Sequence, residues 1–364
     1  MPDSELFRSC SPMKFPASAD VFYHANERGQ LIDKSEMWNG KPSITGRGLG
    51  LVIGSLDESL GNDVFIANDM TNNHFWTLSK NNKSENMEFQ LVESAMLRGL
   101  GADDRAIPQG SMGIAGADFD QNGTLDFYVT NFDKEYNTLH QNQSAGIWRD
   151  VTSKVELAAP SMPLVGFGTE ANDLNGDGKL ELLVTNGHVD MFSRGNEKSL
   201  YEHPFQIFEQ TDQQTYQSAN IDKSESYFEQ PHVGRALWTI DANGDHLADF
   251  VITHQTEPVA LLINQTVQEG SFLELELFGT ASSRDAIGTI IQVQTESRIL
   301  SNWKLAGDGY LCSNEKKVRF ALGANDETCD LQVHWPSGLV QEFRDIEVNR
   351  THQIVESHPQ SFTR

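Results

Sequence analysis

Four segments of the chain align on one another without gaps: SLDESLGNDVFIAND from residue 55, DFDQNGTLDFYVTNF from 118, DLNGDGKLELLVTNG from 173 and DANGDHLADFVITHQ from 241. In each, a polar loop leads to an acid (Asp63, Asp126, Glu181 or Asp249) and then to a short apolar run. These acids lie 63, 55 and 68 residues apart, and a glycine-bearing apolar stretch precedes every loop: GLGLVIG, GSMGIAGA, GFGTEAN and GRALWTI. A unit of this size cannot bury its apolar faces alone, so the copies must stack. Further strand-like segments follow each loop strand, such as NTLHQN and GIWRDVTS in the second unit. Four short strands in roughly 40 to 70 residues, with little helical periodicity, predict the blades of an all-β propeller. A β-sandwich with irregular strands is the alternative, but it gives no reason for four gapless copies.

The units are not all complete. DVFYHANERGQLIDKS, residues 20 to 35, reads as the last two strands of a blade, and the final unit changes pattern after PVALLINQT before an outer strand is reached. About four and a half blades are thus expected in residues 20–266, after an N-terminal segment 1–19. Open sheet edges invite aggregation or swapping, so further repeats and an export signal are expected upstream of Met1.

The loops carry the chemistry. With Asp118 as position 1, Asp120 is position 3, Asn122 is 5, Gly123 is 6, Thr124 is 7 and Asp126 is 9. A hard divalent cation takes six to eight oxygens at about 2.3–2.6 Å. Alternate side chains converge if the loop curls, position 6 favours glycine for the turn, and position 7 offers its backbone carbonyl. The second such loop supplies Asp173, Asn175, Asp177, the Lys179 carbonyl and Glu181, with Gly178 at the turn. The third supplies Asp241, Asn243, Asp245, the Leu247 carbonyl and Asp249, with His246 in the glycine place. Plain Asx turns would also use Asp, Asn and Gly, but they leave three neighbouring carboxylates per loop without a counter-charge. Calcium at two to three sites is the expected cofactor. Magnesium, which prefers to keep its waters, fits less well. In the first repeat, Ser55, Asp57, Ser59 and Asp63 hold the equivalent places with Leu60 at the turn, and an empty or weak site is expected there.

Net charge supports part of this reading. Twenty-seven basic against 52 acidic residues leave −25, which disfavours a nucleic-acid role because that relies on Lys and Arg at phosphates. No apolar run is long enough to span a membrane, and the N-terminus lacks the apolar core of a signal peptide. Cys10, Cys312 and Cys329 make no disulfide scaffold; Cys312 and Cys329 could pair or stay free.

From about residue 268 the repeat ends. SFLELELFG, TIIQVQT, KVRFALG, CDLQVHWPSG and HQIVE read as strands of a small all-β domain, 267–358, followed by a tail, 359–364. In that region SSRDAIGTIIQV, GDGYLCSNEKKVRFALG and LQVHWPSGLVQEF, in this order, resemble the ASPIC/UnbV domain. The upstream units, with VTNGHVD at 184–190, resemble the FG-GAP/VCBS repeats that accompany it in cartilage acidic protein homologues. The resemblance implies a seven-bladed calcium-binding propeller followed by a β-rich domain, exported to the extracellular space or cell envelope. This chain departs by supplying only part of the ring.

No G-x-S-x-G, H-E-x-x-H or phosphate-cradling loop is present. The expected function is a non-catalytic calcium-binding module for a protein or glycan partner. The alternative is a secreted or biosynthetic enzyme with its site in the propeller channel or at the domain junction. For that alternative His188 and His254 are the candidates to watch, although a hydrogen-bonded structural histidine explains each more simply. Trp335 at a strand end before a turn, and a local Arg284–Asp285 ion pair, are read the same way.

Overall fold

The computed structural model describes residues 9–363 apart from 40–43, 58, 60, 80–89, 145, 192, 195–196, 199–200, 221–226, 269, 297 and 323–325. The fold is nearly all β. Three four-stranded antiparallel sheets form the first three repeats. They are Gly48–Gly54, Asp63–Asn68, His74–Ser79 and Gln90–Glu93; Ile114–Ala117, Asp126–Val129, Thr138–Ser144 and Ile147–Asp150; and Gly166–Asn172, Glu181–Asn186, Gln206–Gln210 and Tyr216–Ser218. A fourth sheet has three strands among the described residues, Gly234–Ile240, Asp249–His254 and Ala260–Leu262, without an outer one, as its sequence suggests. A hairpin of Tyr23–Ala25 and Leu31–Asp33 precedes them, where two strands of a partial blade are expected. The leading residues 1–8, and Leu60 of the first loop, lie outside the described residues.

The repeat sheets stack side by side, each first strand touching the next. This is why the loop strands read as unbroken apolar runs. Both faces of a stacked sheet are covered, so alternate residues bury on opposite sides. Phe127 and Val129 face the first sheet's Val52, Phe65 and Phe75, whereas Tyr128 faces Leu182, Val184 and Phe208 of the third. Leu183 in turn faces Leu237, Phe250 and Ile252 of the fourth. Glycines set the spacing. A Cβ on Gly50 would sit 2.0 Å from the Met112 carbonyl, and one on Gly113 would sit 2.1 Å from that of Phe167. Only a residue without a side chain lets these backbones approach so closely.

The C-terminal domain is a two-sheet sandwich. One sheet has the order Lys317–Ala321, Phe272–Phe278, Arg350–Val355, Phe362–Thr363; the other has Ile299–Trp303, Ile290–Gln294, Thr328–His334, Val340–Glu347. Leu275, Ile291, Val293, Phe320, Val333 and Ile354 fill the space between them. The expected strands are all present. Ile299–Trp303, Val340–Glu347 and Phe362–Thr363 are additional, and their largely exposed, polar faces explain why alternation did not reveal them.

Residues 304–316, joining the two sheets of the sandwich, form a strap across the first strands of all four repeat sheets. Ala306 and Ile53 exchange backbone hydrogen bonds of 2.8 and 3.0 Å, and Gly309 and Ile114 exchange bonds of 2.6 and 3.0 Å. Asn314 Nδ2 donates to Glu170 of the third sheet at 2.9 Å. In the fourth, the Thr239 N–H donates to Asn314 Oδ1 at 2.8 Å, and Cys312 Sγ donates to the Leu237 carbonyl at 3.2 Å. Cys10, Cys312 and Cys329 are all free thiols, so Cys312 and Cys329 do not pair.

Candidate metal sites

Each acidic loop joins the first and second strands of its sheet, and the three share one backbone. Positions 4 and 6 are left-handed throughout: Gln121 (φ 58°) and Gly123 (85°), Gly176 (78°) and Gly178 (88°), Gly244 (79°) and His246 (67°). The histidine at the third turn therefore takes the strained conformation that its place demands. Position 1 accepts backbone N–H groups from its own turn. Asp118 takes Asn122 and Gly123 (2.9, 2.8 Å), Asp173 takes Gly176 and Gly178 (2.8, 2.7 Å), and Asp241 takes Gly244 and His246 (2.8, 3.3 Å). Position 9 accepts the N–H of position 2: Phe119 to Asp126 at 3.0 Å, Leu174 to Glu181 at 2.8 Å and Ala242 to Asp249 at 2.8 Å. The bond from Leu56 to Asp63, 3.1 Å, repeats this in the first sheet.

Positions 3, 5 and 7 behave less uniformly. Asn175 and Asn243 each accept the N–H two residues on, and so do Asp177 and Asp245, which cap Lys179 and Leu247. In the 118 loop Asn122 Oδ1 accepts both the N–H and the hydroxyl of Thr124, while Asp120 takes amide donors from Asn122 and Gln141. These are Asx turns. They hold the loops curled; Asp118, Asp120 and Asp126 converge in the first of the three, whereas Asp177 and Asp245 stay exposed.

Carboxylate oxygens of Asp118, Asp120 and Asp126 lie within 4.8 Å of one another. Burial, with Asp120 alongside, pushes Asp118 up to about 6, against the opposing N–H bonds. Burial with Asp120 and Asp118 nearby pushes Asp126 up to about 8. Glu181 rises to about 7 through burial and the charges of Asp173 and Asp177, and burial raises Asp173 as well. An all-oxygen set that joins half-buried acids (Asp118, Asp120, Asp173) to buried ones (Asp126, Glu181) fits a hard divalent cation. In the first sheet Asp57 instead pairs with Arg98 at 2.7 Å, and burial together with Asp57 lifts Asp63 to about 7.

The remaining candidates fall elsewhere. His188 is buried, with Nδ1 accepting the Asp190 N–H at 2.8 Å and its ring against Phe132 and His203. His254 bonds the Pro258 carbonyl and the Tyr227 hydroxyl, beside His232. Trp335 lies in the sandwich core. Asp285 pairs with Lys316 of the strap at 2.8 Å, not with Arg284. At the junction between repeats and sandwich, a polar cavity of about 130 Å³ includes Glu170, Asp308, Asn314 and Lys304. There burial and Asp308 hold the Glu170 carboxyl well above its usual range. Asn314 bridges the two acids, and the buried Glu170 Oε1 has no hydrogen-bond donor. This acid pair was not legible in the sequence, since the two residues come from different domains.

The geometry defines a protein of repeated β-sheets joined to a β-sandwich, and two family models match within it. Residues 118–184 match the FG-GAP-like repeat model, and residues 279–361 match the ASPIC and UnbV model. The chain thus carries both modules that its motifs resemble. Cartilage acidic protein 1 of Xenopus tropicalis is 23% identical over 333 residues, which cover 85% of this chain and 45% of that protein. The chain therefore spans less than half of that relative. Among solved structures, the Vibrio cholerae biofilm matrix protein Bap1 is similar at 10% identity and a TM-score of 0.30, covering 89% of this chain and 62% of that one. Among the described residues no helix is long and apolar enough to cross a membrane.

Proposed function

We propose that the chain is a calcium-binding, extracellular, adhesion-type module that engages a protein or glycan partner without catalysis. One observation carries this reading: the same nine-residue turn, with the same two left-handed positions, recurs in three consecutive sheets, and in the 118 loop it gathers three carboxylates within 4.8 Å. Asp118, Asp120, Asn122, the Thr124 carbonyl and Asp126 would hold one ion. Asp173, Asn175, Asp177, the Lys179 carbonyl and Glu181 would hold a second, and Asp241, Asn243, Asp245, the Leu247 carbonyl and Asp249 a third. Bound calcium supplies positive charge that keeps adjacent buried carboxylates ionised. The acids in turn tie the first strand of a sheet to its second and stiffen the blade edge. The FG-GAP-like repeat, the ASPIC/UnbV domain and the likeness to cartilage acidic protein 1 support the extracellular, adhesion-type part.

Calorimetric unfolding in millimolar calcium and in chelator tests the proposal. A site filled at about 100 times its dissociation constant adds about 2.7 kcal/mol, so calcium is expected to raise Tm by several degrees. Asp118→Ala with Asp126→Ala is expected to remove one site's share. Identical transitions with calcium and with chelator would sink the calcium reading.

A further inference from the structure

The four loops lie on the side of the repeats that meets the sandwich. Asn62 Nδ2 donates to the Ile287 carbonyl at 3.2 Å, and a Cβ on Gly123 would stand 3.8 Å from Ser301 Oγ. A Cβ on Gly178 would collide with the Arg298 guanidinium at 1.8 Å. Asp241 Oδ2 lies 3.7 Å from Arg319 Nη2. The loops thus differ in how much basic charge the rest of the chain brings to them. In the first sheet Arg98 pairs with Asp57 at 2.7 Å, where the loop is short of acids. The 118 loop, among the described residues, has no ion pair to any of its three clustered carboxylates, and the 173 loop has Arg298 against its turn. At the 241 loop Arg319 joins Asp241, Glu274 at 2.8 Å and Glu315 at 2.9 Å. The acid and imidazole atoms gathered there are those of Asp241, His246 and Glu274, which span the two domains.

From this gradient we infer that Arg319 is the resident counter-cation of the 241 loop, placed there by the C-terminal domain. It weakens that loop's hold on calcium relative to the 118 loop. The inference rests on the calcium reading and deepens it. A divalent ion taken up by Asp241 must sit close to a guanidinium that is itself fixed by the buried Glu274, so like charges oppose one another across a few ångströms. Linkage makes the effect reciprocal: loading the 241 loop loosens Arg319 from Asp241, so ion binding and domain docking are coupled at this loop and not at the 118 loop.

Titration calorimetry with calcium chloride on the full chain tests this. The wild type is expected to show its tightest site lost in Asp118→Ala with Asp126→Ala, and a weaker class lost in Asp241→Asn. Arg319→Gln is expected to tighten the Asp241-dependent site by about tenfold and to lower Tm in chelator, with calcium restoring much of the loss. Adding Asp241→Asn is expected to abolish both the tightening and the rescue. If Arg319→Gln leaves the Asp241-dependent site unchanged while the wild type still binds calcium, the counter-cation role is wrong and the calcium reading stands. If no variant binds calcium, both are wrong. Should Arg319→Gln fail to fold, Glu274→Gln with Arg319→Gln removes both members of that ion pair, leaving Lys317 to Glu315 at 3.5 Å, and carries the same test with the same outcomes.

Discussion

At Glu356, stretches that the sequence keeps far apart meet on one carboxylate. The N–H groups of Thr280, Ala281 and Ser282 each donate to Oε2 at 2.7 Å, and the hydroxyls of Ser282 and Ser337 donate to Oε1 at 2.9 and 2.5 Å. Burial alone would raise this acid, but the donors of Ser337, Ser282 and Thr280 outweigh it and hold the group down to about 2. A carboxyl depressed in the folded state contributes stability that is complete above its unfolded value, about 4.5, and is lost as pH falls towards about 2. Denaturant titrations at a series of acidic pH values should therefore show a falling limb between these limits. Glu356→Gln should flatten that limb, and an unaltered limb in the variant would refute the assignment. The serines of SSRDAIG and WPSG and the acid of HQIVES are thus joined by one anion clasp, a physical reason for motifs that the sequence shows only as ordered fragments. His140 adds a loss on the same acidic side at higher pH. Burial pushes it down to about 4, so the unfolded chain protonates first and stability declines as pH falls from about 6.5 to about 4.

Among elements, the first strands set the tolerances. Gly113→Ala would force a Cβ to within 2.1 Å of the Phe167 carbonyl, and Gly168→Ala would press on the backbone of Arg235 and Leu237 at 2.7 and 2.5 Å. Each should cost about 1–3 kcal/mol in urea unfolding. The aligned place in the fourth sheet is Ala236, which already carries a Cβ. Ala236→Gly should cost only about 0.5–1 kcal/mol, from chain entropy. Equal losses at all three would refute the spacing role. These glycines, the loop acids and the strand runs were legible because each answers to neighbours within one repeat. DFYV and ELLV advertise coverage on two faces, and a D-x-D-x-N-G run shows its own turn. What could not be read was partnership across domains. The stretch KLAGDGYLCSNEK has turn residues and no period, so it resembles any surface loop. Only the structure reveals that Ala306, Gly309, Asn314 and Glu315 use its backbone and side chains to bond the first strands. Arg319 likewise reads as one basic residue in a strand, and its loop partner is set by domain docking.

For the whole molecule, the strap makes repeats and sandwich one cooperative body. Its bonds reach Ile53, Ile114, Glu170 and Thr239, one in each repeat sheet. Fourth-sheet residues Trp238 and Val251 pair in register and continue to Leu261, which is 52% exposed, so the stack ends on an apolar face. A chain ending after residue 267 should therefore lose the sharp thermal transition of the intact protein and expose its first strands. Calorimetry on the two chains would reveal this, and a truncated form melting as sharply and as high as the full chain would show that the strap is dispensable.

The strap also fixes an order of events during biosynthesis. The first sheet leaves the ribosome long before Ala306 has been translated, so its inner edge waits unpaired while the remaining sheets and the sandwich emerge. Maturation of these sheets then waits on the sandwich that follows them, and a nascent chain stalled before residue 304 presents chaperones with repeat sheets that have no keystone.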